Sequence, residues 1–228
     1  MNRHAAIGAG GVSGLIAAAL MALAAPTSGA MPPPPLSPAQ RALAKFETAW
    51  NALKTYSCTL DAHEVQDRNV QDRTYEFWFS KPFDTRMNIV GGAGRGGAAV
   101  WHGGDRVTGH QGGIVSFIHL TLNIHDGRAT SLRGITIAEA NFGAYLDKIH
   151  NAKFKSIDAV PDGDKWTITL VPADPATFQN ITKETIVLGA SGLPTDITMY
   201  VGEGTLAVHN VYKNTKINVA IPPSTFNL

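Results

Sequence analysis

From Ser37 onward the apolar positions recur first at helical spacing and then, for most of the chain, at every second residue. Leu43, Phe46, Trp50 and Leu53 form one stripe, with Arg41, Lys45, Glu47, Asn51 and Lys54 on the remaining surface. That pattern predicts an amphipathic helix whose stripe must lie on something. Ser37 is placed to cap it, Pro38 fits its first position, and Gln40 sits where a capping-box partner belongs. Alternation then takes over. Tyr56, Cys58, Leu60 and Ala62 alternate with polar residues, Asp67-Arg68-Asn69 marks a turn, and Tyr75, Phe77 and Phe79 alternate again up to Pro82. Phe83 to Val90 reads as the returning strand, with Met87 and Ile89 on one face. The glycine-rich run from Gly91 to Gly97 is expected to be a mobile connection, since it lacks the Gly-Lys-Ser/Thr ending of a phosphate-binding loop.

Further along, Ala98–His102 and Val107–Gln111 predict a short hairpin around Gly103-Gly104-Asp105. The apolar run from Ile114 to Ile124 is open to strand or buried helix, and reads rather as helix or irregular structure. Thr136 with Glu139 is a second capping-box signature, opening a helix to about Asn151 with Ile137, Phe142, Tyr145, Leu146 and Ile149 as its stripe. The C-terminal third is a meander. Ile157–Val160, then Trp166, Ile168 and Leu170, then Ile186 and Leu188, then Ile197, Met199 and Val201, then Leu206, Val208 and Tyr212 form strands separated by turn residues. Ile217, Val219 and Ile221 are expected to end the sheet before Pro222-Pro223. Short strands joined by tight turns make one antiparallel sheet, and the apolar stripes of both helices have only its apolar face to pack on. The expected class is α+β: a single curved sheet with helices covering its concave face.

The N-terminus changes where this domain is expected to work. Asn2, Arg3 and His4 give a weakly basic start, residues 5–25 are uncharged, and Ser28-Gly29-Ala30 offers small residues for a signal peptidase. Residues 1–30 therefore read as a signal peptide cleaved near Ala30, residues 31–36 as a stiff proline spacer, and residues 37–228 as the domain. The leader is rich in alanine and broken by glycines, which makes it a poor permanent anchor. Export implies a periplasmic protein, expected to be a monomer. Of 19 Lys and Arg and 18 Asp and Glu, removing the leader takes away only Arg3, and such a neutral balance argues against nucleic acid as a partner. Cys58 is the single cysteine, so no internal disulfide forms, and its place in an alternating strand makes it a small buried residue.

No catalytic constellation stands out. His63, His102, His110, His119, His125, His150 and His209 lack the i, i+4 pairing of a helical metal site, and no Gly-x-Ser-x-Gly is present. His119, His125 and Asp126 come nearest to a cluster. No cofactor and no enzymatic activity are implied. What does stand out is apolar surface along one sheet face: Tyr75, Phe77, Phe79, Met87, Ile89, Trp166, Ile168, Leu170, Ile197, Met199 and Val201. A sheet wrapped around two short helices can leave a hollow, and burying an acyl chain there contributes about 0.8 kcal/mol per methylene before ordering costs.

The order of segments resembles the LolA/LolB-like periplasmic lipoprotein-carrier superfamily and its outer membrane lipoprotein-sorting relatives. The matching stretches are Phe77-Trp78-Phe79-Ser80-Lys81-Pro82-Phe83, Trp101-His102-Gly103-Gly104-Asp105, Thr136 to Ile149, Gly163 to Pro172 and Ile217 to Pro223. The resemblance implies an open, unclosed half-barrel capped by helices, with an apolar cavity for acyl chains of lipoproteins or lipids and an envelope transport partner. It places Lys81 where the carriers have a functional Arg, so Lys81 is the expected headgroup contact. Tyr75, Phe77, Phe79, Met87, Ile89, Trp166, Ile168, Leu170, Ile197 and Met199 are then the expected cavity wall, with Phe142, Tyr145, Leu146 and Ile149 in the lid. A second expectation is an envelope sensor or interaction module of the same fold that binds a protein partner.

Overall fold

A computed structural model describes residues 34–228; the expected leader and the first residues of the proline spacer lie outside them. Helix α1 (Pro38–Ala52) begins as its sequence dictates. The Ser37 hydroxyl accepts from the Gln40 N–H at 3.2 Å, and the Gln40 side chain accepts from the Ser37 N–H at 2.8 Å. Eleven strands follow: β1 (Thr55–Gln66), β2 (Asn69–Ser80), β3 (Asp84–Gly92), β4 (Ala98–Trp101), β5 (Arg106–His110), β6 (Leu120–Asn123), β7 (Phe154–Asp162), β8 (Lys165–Pro172), β9 (Ile181–Leu188), β10 (Pro194–Val201) and β11 (Thr205–Ile217). Helix α2 (Phe142–Asn151) lies between β6 and β7.

All strands join one antiparallel sheet in the order β6-β5-β4-β3-β2-β1-β11-β10-β9-β8-β7. Every neighbour pair is a sequence neighbour except β1 with β11, where Leu60 faces Tyr212 and Ala62 faces Asn210. Edge strands β6 and β7 do not pair, so the sheet stays open. The long β6–β7 connection carries α2 onto the apolar face. There Phe46, Tyr56, Phe77, Phe79, Phe142, Ile168, Leu170, Ile186 and Ile197 form a core with almost no exposure. The Tyr56 ring stacks on Phe142 at 4.5 Å and 11°, and Phe142 meets Tyr212 edge-on at 4.9 Å. Gly143 lets α1 and α2 approach, because a Cβ there would lie 2.3 Å from the Trp50 ring.

Four local expectations need correction. The run 114–124 is neither a full helix nor wholly irregular: a single 3₁₀ turn (Gly113–Val115) leads into edge strand β6, which pairs with β5. The helix expected from Thr136 is two pieces. Its first turn, Ile137–Ala140, is 3₁₀, and Asn141 is extended; its side chain accepts from the Ala144 N–H at 3.1 Å and starts α2 afresh. The glycine run 91–97 starts inside β3, whose last residues are Gly91 and Gly92, and ends in a hydrogen-bonded turn, with Ile89 N–H on Gly97 O and Gly96 N–H on Ile89 O, both 2.8 Å. Finally, β11 ends at Ile217. Asn218 takes a left-handed φ of 52° and ties the chain to α1 and β1, its Oδ1 accepting from Lys54 N–H at 2.7 Å and its own N–H donating to Thr55 O. Val219 and Ile221 therefore follow the sheet instead of extending it.

Candidate functional site

The helices fill the apolar face unevenly. Beneath α1 and α2 the face is a close core. Phe77, Phe79, Ile168, Leu170, Ile197, Phe142, Leu146 and Ile149 pack on one another there, each at most 5 % exposed. Trp166 and Met199 are half-buried against the same core, with the Arg41 guanidinium 5.7 Å above the Trp166 ring. Over β3 to β6 a 3₁₀ turn (Ile137–Ala140) approaches the sheet, and between it and strands β1 to β6 a cavity of about 420 Å³ opens, within the usual size of small-ligand sites. Of the residues expected from sequence, Tyr75, Met87, Ile89 and Tyr145 border it.

Sequence reasoning missed most of the wall. Leu60 and Ala62 on β1, Val107 on β5 and Leu122 on β6 face the hollow. The opposite side is a strap, residues 124–141, which contributes Ala129, Ile135, Ile137 and Ala140. The alternation of Leu60, Ala62 and Glu64 continues a face already read from Tyr56 and Cys58, so those residues were findable. The strap has no period of its own and was not. Side-chain anchors hold it down. Arg133 donates to Val65 O and Gln179 O, both at 2.8 Å, and its N–H donates to Glu64 Oε2 at 2.9 Å. The Leu132 N–H donates to Gln71 Oε1 at 3.1 Å.

The wall is apolar with a few convergent polar groups. Glu64 is 5 % exposed and Asn210 7 %, and the Asn210 Oδ1 has no hydrogen-bond partner among the described residues. Burial pushes the Tyr145 hydroxyl up to about 12 and raises that of Tyr75, so both stay protonated donors. Arg73 donates from Nε to Ala93 O at 3.0 Å and from Nη1 to the Tyr75 hydroxyl at 3.3 Å. Arg95 and Arg128 also border the cavity, and Arg128 is held in a two-pronged pair with Asp126. Hydrogen bonds from Arg128 lower the Asp126 carboxyl to about 2.

Lys81 lies elsewhere. Its ammonium donates to Trp50 O at the end of α1, sits 4.3 Å over the Trp50 ring, and is lowered by burial. It closes a helix terminus and does not border the cavity. His119, His125 and Asp126 form no constellation: His119 stacks on His110 at 5.3 Å, His125 is exposed, and Asp126 is committed to Arg128. Among the described residues no group of three His, Cys, Asp or Glu side chains is placed to hold a metal ion, and no helix is long and apolar enough to cross a membrane. Burial pushes the Cys58 thiol up to about 12, which leaves it a packing residue. Between β5 and β6 the chain exposes Ile114 (93 %) and Phe117 (76 %), with Val115 and Ile118 beside them; Leu120, which follows, borders the cavity.

No protein-family model matches the chain, and no curated protein matches it. Among solved structures it is similar to an uncharacterised conserved protein from Thermus thermophilus, at 8% identity and a TM-score of 0.51, over 83% of this chain and 93% of that one. Lower-scoring similarities include an outer membrane lipoprotein-sorting protein domain from Vibrio parahaemolyticus (11% identity, TM-score 0.45, 83% and 97% of the two chains). A LolA superfamily protein from Nitrosomonas europaea aligns at 13% identity and a TM-score of 0.42, over 85% and 99%. At such identities the likeness is one of fold.

Proposed function

We propose that the protein is an exported periplasmic binding or carrier protein that shields acyl chains of lipids or lipoproteins. The observation that supports it best is the cavity of about 420 Å³ between the sheet and the strap, walled by Leu60, Met87, Ile89, Val107, Leu122 and Ile137. Such a wall needs no reacting group. Each methylene moved from water into it contributes about 0.8 kcal/mol, so a chain of modest length offsets the cost of association. The strands are joined by backbone ladders and the strap is tied to them mainly by side-chain hydrogen bonds, so the strap is the element that yields to admit a chain. Uptake of a fluorescent fatty acid by the delipidated protein tests the reading. Wild type should bind with one site per chain, and Ile89→Asp, which places a charge against the apolar wall, should abolish uptake. Absence of uptake of any acyl probe by folded wild type would refute it.

A second reading, an envelope interaction module that binds a protein partner, draws on the exposed Ile114–Leu120 segment. Apolar side chains so far from any packing partner commonly mark a contact surface. Recovery of one envelope protein with wild type but not with Phe117→Asp, without bound lipid, would favour it over the carrier reading.

A further inference from the structure

The polar groups at one end of the cavity are arranged by charge. Ala62 on β1 faces Asn210 on β11 and Arg73 on β2, so these three form a row across adjacent strands. Strands lie about 4.8 Å apart, and the small Ala62 leaves room above the row for a polar group. Glu64 follows on the same face of β1, because side chains alternate along a strand. On β1 and β11 the free positions are acceptors. Asn210 Oδ1 is buried without a partner, and Glu64 has spent only Oε2, on the Arg133 N–H. On the β2 side they are donors. Arg73 Nη2 has no hydrogen bond among the described residues, and the Tyr75 hydroxyl, which accepts from Arg73, keeps its own proton to give.

We propose that this end is a headgroup subsite for a zwitterionic amphiphile that carries a primary ammonium beside a phosphate. The ammonium donates to Asn210 Oδ1 and the Glu64 carboxyl, and the phosphate accepts from Arg73 and Tyr75. An unpartnered buried acceptor is costly to keep, and a ligand N–H satisfies it. A quaternary ammonium of the same charge has no N–H and leaves both acceptors unsatisfied. The subsite rests on the cavity being an acyl-chain site, because the chain would run from it along Met87, Val107 and Leu122.

Displacement of a fluorescent fatty acid from the full-length mature protein, with lysophospholipids of one chain length, separates the two ideas. Lysophosphatidylethanolamine should displace the probe at a concentration about tenfold lower than lysophosphatidylcholine, the effect of one well-made charged hydrogen bond. Asn210→Leu and Glu64→Gln should each bring the two lipids to within about twofold of one another. Arg73→Met should weaken both relative to an uncharged monoacylglycerol. Equal displacement by the two lysolipids in wild type would overturn the subsite and leave the acyl-chain reading standing. Failure of the fatty acid itself to bind would overturn both. Because the wild-type comparison alone decides the question, a variant that does not fold leaves the test intact.

Discussion

Replacing Phe142 by Ala separates the part of the apolar face that is core from the part that is cavity. Phe142 is fully buried, stacked on Tyr56 at 4.5 Å and edge-on to Tyr212 at 4.9 Å. Truncating such a ring costs about 3–5 kcal/mol, a large share of the 5–15 kcal/mol that typically holds a domain together. For a chain of this size each kcal/mol moves the melting temperature by roughly 2–4 °C, which gives a drop of about 6–20 °C. Thermal unfolding of delipidated protein by circular dichroism reads that drop. Acyl uptake, measured well below the new melting temperature, should stay close to wild type. Leu122→Ala should do the reverse, with little loss of stability and weaker uptake, because Leu122 already faces the hollow. A Phe142→Ala protein that melts like wild type yet takes up no lipid would refute this division. It would make α2 a lid, not a core element.

Other consequences follow from single contacts. Glu184 is 2 % exposed and both its oxygens accept from Lys148 Nζ, at 2.6 and 2.7 Å. Lys148→Met should therefore cost about 3–5 kcal/mol in urea unfolding, and adding Glu184→Leu should recover most of it. The Cys58 thiol, held near 12 by burial, should resist a thiol reagent at pH 8 until the protein unfolds, whereas prompt native reaction would contradict its burial. The Asp126 carboxyl should titrate near 2 by NMR, and Arg128→Ala should return it toward the ordinary carboxylate range. Its folded value lies below its unfolded one, so whatever stability the pair adds is present above about pH 4 and fades as pH falls toward 2.

The meander, both helices and the helix caps were legible in the sequence because each obeys a local rule. Alternation marks Tyr56 to Ala62, helical spacing marks Phe46 to Leu53, and Ser37 with Gln40 marks a start. Whether an inward residue meets a helix or empty space is a tertiary property. Phe77 and Tyr75 alternate identically, yet Phe77 stacks on Tyr56 inside the core while Tyr75 borders the cavity. The break at Asn141 was hidden for a related reason. Thr136 and Glu139 sign a helix start correctly, but a second capping residue interrupts the stripe without disturbing its apolar spacing. Lys81 reaches the Trp50 carbonyl across the fold, a contact that its neighbours in sequence, Ser80 and Pro82, do not announce.

A crystal grown with a brominated fatty acid tests the central claim most directly. Anomalous bromine density is expected between Met87, Val107, Leu122 and Ile137, under a displaced or intact strap, with α1 and α2 unmoved. Bromine found beneath α2 among Phe77, Phe142 and Ile168, or an empty cavity in crystals of saturated protein, would contradict it.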